Sequence, residues 1–298
     1  MKPLCNNSKA LPQDRFILKA RKFTLKLGKR TQIMGILNLT PDSFTGDGLY
    51  RLSTDKIIKK AEQMVRDGAD ILDIGGESTR PGAKPISEKE EIKRVIPPIK
   101  ILAKRIKIPI SIDTYKSKIA ELALDNGASI VNDITAFGDN NMPKTIKRYN
   151  AAVVLMHMRG KPLDMQNNPH YRSLITEITG YLQKRIKIAV DSGISSDKII
   201  IDPGIGFGKT LEHNMEIIRR LAEFKKMGFP VLIGTSRKSF IGQILNKEPQ
   251  GRLMGTAASI ALSIANGADI VRVHDVREMH DVVKIIDAIT RKIIIHNF

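Results

Sequence analysis

Short apolar runs rich in Ile, Val and Leu recur along this chain, with longer amphipathic stretches between them. The runs are Gln32 to Leu39, Asp70 to Gly75, Ile108 to Thr114, Ser129 to Ile134, Ala151 to His157, Ile199 to Gly204, Val231 to Thr235 and Ile270 to Val273, eight in all. Each is nearly continuous rather than alternating, the pattern of a strand buried on both faces of a parallel sheet. Between them, Thr54 to Asp67, Glu88 to Arg105, Leu174 to Ser192 and Leu211 to Met227 carry apolar residues every three to four positions, which predicts helices with one buried face. Parallel strands need such crossovers. Eight strand-then-helix units favour a closed (β/α)8 TIM barrel, an α/β fold, over an open doubly wound sheet.

Three helix-to-strand joints repeat one pattern: Asn126-Gly127-Ala128, Asn266-Gly267-Ala268 and, with Asp first, Asp67-Gly68-Ala69. A Gly just past a helix end can take the left-handed conformation that closes the last turn before a strand begins. No Pro/Gly/Ser-rich linker splits the chain, so residues 31–298 are expected to form a single barrel behind a basic arm of residues 1–30. Within that arm apolar residues alternate with Lys and Arg from Phe16 to Leu27, which predicts a short β-hairpin leading through Gly28-Lys29 into the first barrel strand. The alternation also denies the arm the continuous apolar core of a secretory signal, and an organellar transit peptide stays as the lesser alternative.

Composition narrows the class. The longest charge-free stretch, Leu253 to Ala268, is broken by Gly, Ser, Thr and Asn, so no transmembrane span is expected. Cys5 is the sole cysteine, which excludes an intrachain disulfide and a Cys-rich zinc site and fits a reducing, cytoplasmic setting. With 49 Lys and Arg against 31 Asp and Glu the net charge is +18, of which residues 1–30 supply +8. Such a balance suits nucleic acid, acidic lipid or anionic substrates. An aromatic content of 5%, the absence of Trp and the lack of any binding module argue against nucleic acid.

In a barrel of this kind the C-terminal strand ends form the active face. The polar residues there are Asn38, Asp73, Glu77 to Arg80, Asp113, Asn132, Asp133, His157, Asp202, Ser236 to Ser239, Arg272, His274 and Asp275. Asp73 reads equally well as an interior carboxylate that ties the barrel together, and His157 reads better as a satisfied rim histidine than as a ligand. Carboxylates, an amide and a lysine forced to one rim at Asp113, Asn132, Asp202 and Lys238 are costly unless something polar is bound between them. Asp and Asn match the alternating donors and acceptors of a nitrogen heterocycle, while Arg272, His274 and Arg80 suit a phosphate or carboxylate.

The segment Asp202 to Thr210 comes near two nucleotide motifs and misses each by one residue. The GxxxxGK[ST] loop needs Gly where Pro203 stands, and GxGxxG needs Gly where Lys209 stands. It is read as a Gly-rich turn that brings backbone and Phe207 close to a ligand. Gly234 to Ser239 opens a further helix whose first amides favour an anion.

Together the segments Met34 to Phe44, Asp73 to Gly82, Ser111 to Thr114, Val131 to Ile134, Met156 to Met158, Asp202 to Lys209, Ser236 to Ser239 and Arg272 to Asp275 resemble the dihydropteroate synthase family, in order, from about residue 31 to about residue 290. That resemblance implies condensation of 7,8-dihydropterin-6-ylmethyl diphosphate with 4-aminobenzoate to give dihydropteroate and pyrophosphate. It implies Asp113, Asn132, Met156, Asp202 and Lys238 around the pterin, and Asn38, Arg80, Arg272 and His274 at the diphosphate. Asn38 would lie beside a Mg2+ ion, and Thr79, Pro81, Phe207 and Ser239 would shape the aminobenzoate end. Asp113, Asp202, Lys238, Arg272 and His274 would carry the chemistry, mainly by neutralising the leaving group and orienting the amine. It further implies a homodimer through the last helices, and lids at Pro41 to Tyr50 and Glu77 to Lys84.

Two other enzymes fit parts of the pattern. One is a corrinoid-dependent methyltransferase binding methyltetrahydrofolate on a similar barrel, against which the Ser-Arg-Lys-Ser and Arg-Val-His-Asp segments stand, because a methyl donor has no diphosphate to hold. The other is a Schiff-base aldolase using Lys238.

Overall fold

Two short strands, β1 (Ile17–Ala20) and β2 (Phe23–Lys26), pair antiparallel with Leu18 opposite Leu25 and Ala20 opposite Phe23. They belong to a computed structural model that describes residues 16–40 and 53–291. The expected hairpin is present, and it reverses at Arg21 and Lys22, where Arg21 takes a positive φ of 54°. Along β1 exposed and buried residues alternate, and along β2 exposed residues alternate with half-buried Phe23 and Leu25, as the period-two pattern requires.

Eight parallel strands follow: β3 (Gln32–Asn38), β4 (Ile71–Gly75), β5 (Ile110–Asp113), β6 (Ile130–Asp133), β7 (Ala152–Met156), β8 (Ile199–Asp202), β9 (Leu232–Ile233) and β10 (Ile270–Val273). Their order in the sheet is β8-β7-β6-β5-β4-β3-β10-β9, and a parallel bridge between Ile201 and Val231 brings the two ends together. The sheet is thus a nearly closed barrel, and every expected apolar run holds a strand. One strand is much shorter than its apolar run: β9 keeps only two residues of Val231 to Thr235.

Among the described residues the crossovers are α1 (Thr54–Arg66), α2 (Glu88–Arg105), α3 (Ser117–Asp125), α4 (Met142–Tyr149), α5 (Leu174–Asp191), α6 (Leu211–Arg219), α7 (Leu221–Lys225), α8 (Ser239–Leu245), α9 (Leu253–Ala265) and α10 (Val276–Arg291). Their buried faces follow the helical period, as with Ile57, Ile58, Ala61 and Met64 on α1. One expected helix, Leu211 to Met227, is two. It breaks at Arg220, after which Leu221 and Phe224 turn fully into the core. The three repeated joints behave alike, with φ of 104° at Gly68, 110° at Gly127 and 108° at Gly267. Among the described residues no helix is long and apolar enough to cross a membrane.

Two apolar clusters result. The larger fills the space between sheet and helices. The smaller lies inside the barrel, where Leu18, Ala20 and Leu27 of the hairpin region pack on Met34, Ile71, Ile130, Val154, Ile200, Leu232 and Ile270. The hairpin therefore plugs the N-terminal end, and the C-terminal end is left to polar residues.

Candidate active site

The strand register brings distant residues to one rim. Asp113 ends β5 beside Asn132 of β6, and Asp202 ends β8 beside Met156 of β7. Asn38 ends β3, Arg272 lies on β10, and His274 follows it. Above them opens a cavity of about 410 Å³. Its walls include Asn38, Thr79, Arg80, Pro81, Asp113, Phe207, Lys238, Ser239, Arg272 and His274. Asn132, Met156 and Asp202 are buried and do not line it.

At the floor Arg272 bridges two carboxylates. Its Nε donates to Asp73 Oδ2 at 2.6 Å and its Nη2 to Asp113 Oδ2 at 2.7 Å. Asn132 Nδ2 donates to the same Asp73 oxygen at 3.2 Å, so Asn132 reaches the site through Asp73. The interior-carboxylate reading of Asp73 is therefore realised, within the site. The other oxygens, Asp73 Oδ1 and Asp113 Oδ1, and the nearby Ser111 Oγ are buried with no hydrogen-bond partner among the described residues. Burial pushes the Asp113 carboxyl up to about 7 against the pull of Arg272, with Asp73 adding to the rise. Burial alone would lower the Arg272 guanidinium, but Asp73 and Asp113 outweigh it and hold it raised. Two carboxylates around one guanidinium thus keep Arg272 charged, while burial first and the second carboxylate after it raise Asp113.

The opposite wall is basic. Lys238 donates to the Ile205 carbonyl oxygen and its ammonium sits 4.5 Å from the centre of the Phe207 ring. Burial pushes Lys238 down to about 8, opposed by Asp202. Asp202 is itself raised by burial, and its Oδ1 accepts from the Gly204 amide at 2.7 Å. Beside them His274 Nδ1 lies 2.9 Å from Ser236 Oγ, and its Nε2 faces Asn38 Nδ2 at 3.4 Å. Arg237, next in the chain, takes a positive φ of 55° and pairs with Asp275 through Nε at 2.9 Å. Among the described residues no group of three His, Cys, Asp or Glu could hold a metal ion by itself.

The loop after β4 carries Thr79 to Pro81 and is moored by a buried ion cluster. Lys116 Nζ reaches Glu77 Oε2 at 2.6 Å and Glu91 Oε2 at 2.7 Å, and Glu77 also accepts from the Ile86 amide at 3.0 Å. Tyr115 OH donates to Glu77 at 2.8 Å and Thr114 Oγ1 to Glu91 at 2.7 Å. The other expected lid, Pro41 to Tyr50, lies outside the described residues.

Several wall residues escaped the sequence reading. Ser236 is not among them, since the sequence already places Ser236 to Ser239 on the rim. Met165, Glu248, Pro249 and Arg252 also line the cavity, from loops with no pattern to mark them.

Against known proteins, residues 34–274 match the family model described as pterin binding enzyme. The chain is 48% identical to the dihydropteroate synthase of Synechocystis sp., over 89% of this chain and 92% of that one. Among solved structures, that of Yersinia pestis dihydropteroate synthase with a sulfonamide drug complex superposes with a TM-score of 0.90 at 41% identity, covering 93% of this chain and all of the other. A Xanthomonas albilineans dihydropteroate synthase with 4-aminobenzoic acid gives a TM-score of 0.85 at 36% identity, over 92% of this chain and 98% of that one. A barrel whose C-terminal rim gathers these side chains, with relatives of this closeness over nearly its whole length, belongs to the dihydropteroate synthase family of folate biosynthesis.

Proposed function

We propose that the cavity above Arg272 is where this chain joins a 7,8-dihydropterin-6-ylmethyl diphosphate to 4-aminobenzoate, releasing pyrophosphate and 7,8-dihydropteroate. The observation that carries this reading is the pair of buried carboxylate oxygens, Asp73 Oδ1 and Asp113 Oδ1, that have no partner beneath a cavity open to a small molecule. A buried acceptor without a donor is costly, and the N–H groups of a pterin edge would satisfy it. Asn132, Asp202 and Met156, buried beneath the wall, would meet the ring only below the open cavity, and Lys238 in the wall would donate to it.

In the reaction the amine nitrogen bonds to the pterin methylene as the methylene–oxygen bond to diphosphate breaks, and the surplus proton on nitrogen passes to solvent. Positive charge builds on the pterin as the anion departs. Ionised Asp113 and Asp202 favour that charge, while Arg272, Arg80 and His274 receive the diphosphate. Thr79, Pro81, Phe207 and Ser239 line the same cavity and would seat the aminobenzoate, with Ser239 at its carboxylate. No side-chain nucleophile is needed.

Magnesium fits this donor set as a companion of the substrate. The Asn38 side chain offers one hard oxygen at the diphosphate end, and Mg2+ is commonly held by few protein oxygens together with phosphate oxygens. When bound there it would neutralise the leaving diphosphate. Asn38 and His274 would hold that end of the substrate.

The same reading includes a homodimer through the last helices and a cytoplasmic setting, the latter supported by the single cysteine. Met254 and Leu262 of α9 and Ile285 and Ile289 of α10 are exposed large apolar residues, the area a second copy would cover.

Pyrophosphate release by the purified protein tests the reaction. It should require both the dihydropterin diphosphate and 4-aminobenzoate, and Asp113→Ala should abolish pterin binding while the fold persists. Turnover near normal in that variant would remove the assignment. The methyltransferase alternative predicts methyltetrahydrofolate binding with no pyrophosphate released.

A further inference from the structure

The turn after β8 comes near a phosphate loop in sequence, yet its lysine turns away from the cavity. Lys209 is only 2% exposed. Its ammonium lies 3.1 Å from His157 Nδ1, 3.4 Å from the His157 carbonyl oxygen and 3.0 Å from the Phe207 carbonyl oxygen. When charged, its three N–H groups meet these three acceptors. The match requires His157 to be neutral with its hydrogen on Nε2. Burial, then the charges of Lys209 and Arg159, push that ring down to about 2, so it stays neutral. Burial also lowers Lys209, with Asp202 opposing.

The bond to the Phe207 carbonyl matters because Phe207 and Lys238 stand together in the cavity wall. The turn that carries Phe207 has little shape of its own. Gly204, Gly206 and Gly208 take φ of 73°, 82° and 62°, and a backbone this permissive must be held by its surroundings. It is held on every side. Tyr171 OH donates to the Gly208 carbonyl at 2.9 Å, and the Gly206 amide donates to Asn214 Oδ1 at 2.7 Å. From the solvent side Gln166 Nε2 donates to the Gly206 carbonyl at 2.6 Å. Packing leaves no slack, since a Cβ added at Gly204 would strike the His157 carbonyl and one at Gly208 that of Arg159.

We infer that Lys209 is a positioning residue for the aminobenzoate subsite: anchored on His157, it fixes the Phe207 backbone from within while Gln166 holds Gly206 from outside, keeping Phe207 and Lys238 in register. This rests on the assignment of Phe207 to the aminobenzoate end. Lys209 touches neither substrate, and its effect passes through the turn.

The test is steady-state kinetics of Lys209→Met, Lys209→Arg, Gln166→Ala and Phe207→Ala, with dihydropterin diphosphate binding measured separately. Misplacement by about an ångström is expected to raise KM for 4-aminobenzoate roughly tenfold in Lys209→Met, with pterin affinity within about twofold of the parent. Lys209→Arg should recover part of the loss, and Gln166→Ala, at an exposed site, should show a smaller rise in the same constant. In Lys209→Met the 15N shifts of His157 should also change, because Nδ1 loses its donor. The inference is overturned if Phe207→Ala raises that KM while a folded Lys209→Met leaves it unchanged, whatever Gln166→Ala does. Equal loss of affinity for both substrates in Lys209→Met would likewise overturn it, marking a general structural role. Should Lys209→Met fail to fold, Lys209→Arg decides: a KM for 4-aminobenzoate equal to the parent's, with unchanged 15N shifts at His157, would overturn the inference. If Phe207→Ala leaves the constant untouched, the subsite assignment fails and takes this inference with it.

Discussion

Arg272 on β10 reaches Asp113 on β5 at 2.7 Å, and its other arm holds Asp73 on β4 at 2.6 Å. A residue expected from resemblance to serve the diphosphate thus also neutralises the carboxylates beneath the pterin end. Replacing Arg272 with Met removes the one cation between two buried acids, and breaking such a pair costs about 3 to 5 kcal/mol. Urea unfolding should show that loss, together with weakened pterin binding. Arg272→Lys should restore little of it, because an ammonium cannot fork to both carboxylates. A variant as stable as the parent would show that the pairing does not hold the rim.

The pH dependence of pterin affinity should be bell-shaped. Asp113 must be ionised to accept N–H groups and is pushed up to about 7. Lys238 must be charged to donate fully and is pushed down to about 8. Affinity is therefore expected to fall below about pH 7 and above about pH 8, and Asp113→Asn should erase the acid limb. The stability signs follow from the same shifts. Between the ordinary carboxylate range and about 7 the folded state keeps a proton on Asp113 that the unfolded chain releases, so Asp113 makes stability fall as pH rises there. Between about 8 and the ordinary lysine range the unfolded chain holds the proton that folded Lys238 has lost, so Lys238 makes stability rise with pH. Titration calorimetry across pH 5 to 10 checks the bell.

Leu18 separates stability from catalysis. It is 1% exposed, inside the barrel's lower cluster with Met34 and Ile71, at the end opposite the cavity. Leu18→Ala should cost about 2 to 5 kcal/mol in denaturant unfolding, the range for buried leucines. Turnover at a temperature where the variant is folded should match the parent. A raised KM would show that the plug communicates with the rim.

The strands were legible because residues buried on both faces must be apolar without interruption, and Val153 to Leu155 or Ile199 to Ile201 allow few other readings. The rim followed, since a polar residue ending such a run has one place to go. Asp73 stayed ambiguous because a carboxylate on a strand looks the same whether it braces the barrel or meets a ligand, and here one oxygen braces Arg272 and Asn132 while the other faces no protein donor among the described residues. Lys209 could not be placed from its neighbours. The direction of its side chain is set by His157, far back in the chain. Met165 and Arg252 were invisible for a similar reason: loops reach the cavity through their length and path, and no periodicity records either. The break at Arg220 also left no mark, as neither Pro nor Gly stands there.

The exposed apolar face of the last helices gives the remaining prediction. Ile285 is 61% and Ile289 is 70% exposed, one turn apart on the same side of α10, and Leu262 of the neighbouring α9 is 48% exposed. Single exposed apolar residues are ordinary, but several on two packed helices form a patch that water solvates poorly. If a second copy covers it, a charge placed there must be buried without a partner on association. Ile285→Glu and Leu262→Glu are therefore expected to convert a dimer into a folded monomer, read by sedimentation equilibrium. Each monomer keeps all the described wall residues of its cavity, so pterin binding should survive the change. A parent protein that sediments as a monomer at micromolar concentration would remove the dimer from this reading, and the patch would then need another occupant.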